Sequence, residues 1–102
     1  MRDVAIMDIA MNLGRIGNWA ADDFDGKEKR INMFLEQTNN YLSGLDITAY
    51  PESTQHALTR FSQAFHSLRT QTPSAPDEQL QWAEAMLTWS NILTHKAKIN
   101  LS

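Results

Sequence analysis

The chain has 102 residues, 9 Lys and Arg against 12 Asp and Glu, a formal net charge of −3 and no cysteine. The length fits one domain, residues 1–102, with a single core that needs no staples. The missing cysteines exclude disulfides, Cys-ligated zinc, iron–sulfur clusters and a thiol nucleophile. A charge this close to neutral carries no basic footprint for nucleic acid.

No stretch approaches the roughly 18 apolar residues of a membrane span. Asp3 and Asp8 interrupt the N-terminal apolar stretch, unlike the core of a signal peptide. The expectation is a soluble, cytoplasmic protein with neither a nucleic-acid nor a membrane partner.

The first predicted helix covers residues 2–21. Ile6, Ile9, Leu13, Ile16 and Ala20 step by three and four, so they share one face of a 3.6-residue helix. A second row, Val4, Met7 and Met11, falls on roughly the opposite side. It is either covered within the domain or is an interface. A third row, Ala10, Gly14, Gly17 and Ala21, is all small. Each glycine costs about 1 kcal/mol relative to alanine in a helix interior, and close approach of a neighbouring helix is the plainest compensation. The acidic break at Asp22, Asp23, Asp25 and Gly26 follows.

The second helix is expected over residues 25–43, with Asp25 and Glu28 at the spacing of a capping box. Ile31, Leu35, Thr38, Leu42 and Leu45 form its apolar stripe, widened by Phe34 and Tyr41. Lys27, Lys29 and Arg30 read as a solvated face. Gly44 is placed to end the helix in the left-handed region.

The third helix is expected over residues 51–70, with Pro51 in its first turn. Ala57, Leu58, Phe61, Ala64, Phe65 and Leu68 share a single apolar face. Pro73 and Pro76 make a firm break, and Ser74 with Asp77 carries the capping signal of the next helix. The fourth helix covers residues 76–99. Leu80, Ala83, Met86, Leu87, Leu93 and Ala97 form a broad stripe, with Trp82 and Trp89 along one edge and Ile92 and Ile99 farther round. Four helices joined by short connections predict an all-α, antiparallel, up-down-up-down four-helix bundle.

No catalytic constellation is legible. His56 and His66 are ten residues apart, about 15 Å of helical rise, too far to share a metal. His95 points off the main stripe. The Glu-x-x-His pairs of di-iron bundles are absent, as are phosphate loops and nucleophile elbows. No metal or cofactor is expected.

The functional expectation is a non-catalytic protein–protein interaction or adaptor module, self-associating as a homodimer through the extra stripe of the first helix. Its contact residues are Val4, Met7, Met11, Trp82 and Trp89, since methionine and tryptophan favour binding surfaces. The alternative is a carrier or sensor of small apolar ligands, with Trp82, Met86 and Trp89 lining a pocket between helices.

Overall fold

The computed structural model describes residues 3–99; the predicted helical position Arg2 and the side chain of Ile99 lie outside the described residues. Four helices follow one another: α1 (Val4–Asp23), α2 (Glu28–Ser43), α3 (Glu52–Thr70) and α4 (Pro76–Ile99), with a 3₁₀ turn at Ile47–Ala49. Side-chain partners fix their directions. Asn12 meets Gln37, and Trp19 meets Phe34, so α2 runs antiparallel to α1. Ser90 meets Ala10 and Trp82 meets Phe24, so α4 also opposes α1. Phe61 meets Trp89 and Leu68 meets Trp82, which sets α3 against α4. The chain is an up-down-up-down four-helix bundle, 41 × 21 × 20 Å.

The predicted core row of α1 is the centre of the molecule: Ile6, Ile9, Leu13 and Ile16 are completely buried. Ile31 and Leu35 of α2, Leu58, Phe61 and Phe65 of α3, and Ala83, Met86, Leu93 and Ala97 of α4 close around it. Leu80, expected in this stripe, is half exposed. It lies in the first turns of α4, where Trp82 instead takes the inward position.

The small row of α1 receives α4. A methyl group built on Gly17 lies 2.7 Å from Leu87 Cγ and 3.1 Å from the Ala83 carbonyl oxygen; on Gly14 it lies 3.2 Å from Ser90 Oγ. The Ser90 hydroxyl donates to the Ala10 carbonyl at 2.7 Å, binding the two backbones through a single side chain. This contact explains why two glycines persist inside a helix.

Three local expectations are corrected. Asp25 does not cap α2, which starts on Lys27 with no side-chain cap; its carboxylate accepts instead from Gln79 Nε2 at 3.0 Å, fastening the α1–α2 turn to α4. Gly44 stays right-handed, at φ −85° and ψ −6°. The end of α2 tightens into bonds from Gly44 N to Tyr41 O and from Leu45 N to Leu42 O, each 3.2 Å, which satisfy the terminal carbonyls without a left-handed residue. Pro51 sits just outside α3, at φ −58° and ψ 153°, with its carbonyl accepting from Gln55 N at 2.9 Å.

Candidate interaction surface

Among the described residues, two grooves and one outward face bear on the predicted contact residues. The outward face lies on α1 and α2. Val4 is 66% exposed, Met11 49% and Met33 59%. At about 100° per residue, Val4, Met11 and Arg15 point away from the buried row of α1, and Met33 points away from Ile31 and Leu35 on α2. The two helices are stitched beneath this face by Asn12, which is buried and whose Nδ2 donates to Gln37 Oε1 at 2.9 Å. Asn12 Oδ1 accepts from the Arg15 guanidinium at 3.5 Å.

Met7 belongs to a different environment. It is half-buried and packs against the core cluster, because it sits farther round the wheel, on the side of α1 that meets α4. The second apolar row of α1 therefore divides: Met7 is half-buried against the core, while Val4 and Met11 are exposed.

At the far end of the same face, a groove of about 710 Å³ opens between α1 and α2, lined among others by Trp19, Lys29, Arg30, Met33 and Phe34. Trp19 and Phe34 meet edge to face, with centroids 4.9 Å apart. The Arg30 guanidinium lies 5.4 Å from the centre of the Trp19 ring, a cation–π contact worth about 0.5–1 kcal/mol at an exposed site. Nearby, Lys27 donates to Asp22; that hydrogen bond, and then the ammonium charge, hold the Asp22 carboxyl below its ordinary value.

Trp82 is core. It is 5% exposed, lies edge to face with Phe24 at 5.2 Å, and donates its indole N–H to the Leu68 carbonyl at 2.9 Å. A buried indole needs such an acceptor, and the end of α3 supplies one. Met86 is completely buried. Neither side chain reaches a partner or a ligand without repacking of the core, and neither lines either groove.

Trp89 alone of that trio reaches the surface. Half-buried against Phe61 at 5.5 Å, it lines a groove of about 440 Å³ between α3 and α4 with Ala57 and Ile92. His56, Arg60 and Lys96 stand over that floor, and no acidic residue lines it.

Among the described residues no cluster of three or more His, Asp or Glu side chains is placed to hold a metal ion. No described helix is long and apolar enough to cross a membrane.

The contact residues that escape a reading of the sequence are the polar ones between helices. Ser90, Asn12 and Gln37 each lie where a wheel shows only a polar side chain at the edge of a stripe. Met33 escapes it as a lone apolar residue off the stripe of its helix. No family model, curated protein or solved structure matches the chain.

Proposed function

We propose that this chain is a non-catalytic protein–protein interaction module of the cytoplasm, and that it self-associates through the outward face of α1 and α2. One observation carries the reading: Val4, Met11 and Met33 lie 49–66% exposed on the outer side of two adjoining helices whose inward rows are buried. Apolar side chains gathered on one face are stabilised by leaving water, at about 25 cal/mol per Å² of apolar area removed. Two of its exposed side chains, Met11 and Met33, are methionines, which suit a surface that adapts to what covers it. A two-fold pairing of identical faces buries each of these side chains twice over with no second gene product.

Molar mass across a concentration series, by sedimentation equilibrium, tests this reading. The wild-type chain is expected to dimerise reversibly, and Met11→Asp to remain a folded monomer with an unchanged circular dichroism spectrum. Met7→Asp serves less well, because Met7 packs half-buried on the core and its substitution is expected to lower the stability of the bundle as well. A wild-type chain that stays monomeric to millimolar concentration overturns the reading.

A further inference from the structure

The outer row of α1 carries its charges in an order that selects one mode of pairing. Val4, Asp8, Met11, Arg15, Asn18 and Asp22 step by four and three along the helix, which keeps them on a single stripe. Met11 has an acid three residues before it and a base four residues after it. At 1.5 Å of rise per residue these charges lie about 4.5 Å and about 6 Å from Met11, on opposite sides. Among the described residues neither Asp8 nor Arg15 has an ion-pair partner. The guanidinium of Arg15 is steadied by Asn12 Oδ1, and Asn12 is itself anchored to Gln37. The cation is thus held on the outer face.

From this arrangement we infer that two copies dock with α1 antiparallel to α1 about a two-fold axis passing at Met11. The inference rests on the self-association proposed above and specifies its register. Under that operator Met11 meets Met11, and Asp8 of each copy stands opposite Arg15 of the other, offset along the axis by only about 1.5 Å, one residue of rise. The symmetry makes this ion pair twice. Val4, seven residues before the axis, comes level with Asn18 of the second copy, at the end of the face where Met33 stands exposed. A parallel pairing fails on the same charges. It sets Asp8 on Asp8 and Arg15 on Arg15, and like charges held opposite one another repel.

A charge exchange tests the register. Asp8→Arg and Arg15→Asp each replace two attractive pairs by two repulsive ones, and each is expected to weaken self-association roughly tenfold, the scale set by a pair of partly exposed ion pairs. Mixed in equal amounts, the two variants are expected to form a heterodimer of wild-type affinity, since both cross pairs are again Arg with Asp. A second measurement uses the absence of native cysteine. With helix axes about 8–10 Å apart, the Met11→Cys variant is expected to be captured as a covalent dimer by a short bismaleimide. If the wild type dimerises but the mixture binds no tighter than either variant alone, or the Met11→Cys variant escapes capture, the antiparallel register is overturned while self-association stands. A monomeric wild type overturns both.

Discussion

Gly17 shows how much one missing methyl group decides. Its α-carbon faces Leu87 and the backbone oxygen of Ala83, and the backbone cannot rotate aside as a side-chain tip does. Gly17→Ala gains about 1 kcal/mol of helix propensity but forces α4 outward, an overpacking that costs about 1–3 kcal/mol and at times more. A net fall in stability is expected, read as a lower urea midpoint; an unchanged or raised midpoint shows that Leu87 turns away and α4 follows at no cost. The sequence displays this row of small residues plainly and implies a close neighbour, yet it does not say which helix fills it. Ser90 is the answer and is illegible, because a serine inside a helix reads as solvent-facing until its acceptor, the Ala10 carbonyl, is known. Trp82 misleads for the opposite reason. Its place at the edge of a stripe is shared by surface anchors and by core indoles, and only the acceptor at Leu68 separates them.

Among the elements, the start of α1 depends on a segment far along the chain. Asp3 caps the helix, its carboxylate accepting from Ile6 N at 2.9 Å. The same carboxylate acts on the phenol of Tyr50, just before α3. Burial first, then hydrogen bonding with Asp3 and the negative charges of Asp3 and Asp46, push the Tyr50 phenol up to about 12. A raised folded-state value means that the folded chain holds the proton more tightly than the unfolded one. The contribution is whole below about pH 10, the ordinary value of a tyrosine, and is lost as pH rises from there to about 12. Tyr50→Phe is expected to flatten the fall in thermal stability between about pH 10 and about pH 12; an equally steep fall in the variant assigns it to other groups. Helix boundaries are legible to within a few residues because proline and glycine punctuate the sequence. Capping is not. Asp25 has the right spacing for a cap, but the demand of Gln79 from α4 takes its carboxylate elsewhere, and no local pattern records a partner fifty-four residues away.

For the molecule as a whole, the bundle topology can be read from four apolar faces and three short connections, because antiparallel neighbours are what short connections permit. The pairing strengths cannot. A wheel treats the helices as equals, whereas in the structure the glycine seam brings α1 and α4 into close approach, and α3 leans on α4 and the 3₁₀ turn. The exposed face of α1 and α2 is half legible: Val4 and Met11 stand out as a second row, but Met7 in the same row is half-buried against the core and Met33 gives no periodic signal. Met11→Asp is the cleanest probe of the self-association proposed for that face, since the side chain already stands half in water.

The seam between the first and last helices also governs the order in which the chain can assemble. The Ser90–Ala10 bond joins residues 80 positions apart, so this close-packed surface is also among the most distant along the sequence. Loop closure must precede its reward, which slows folding relative to bundles built from adjacent hairpins. α1 through α3 are synthesised before the α4 residues that cover Gly14 and Gly17. Native-state hydrogen exchange is expected to report this as one unit: amides at the centres of α1 and α4 exchanging together at the slowest, global rate, and those of α2 and α3 opening earlier. Slower exchange in α2 than in α4 would place the last step of folding elsewhere.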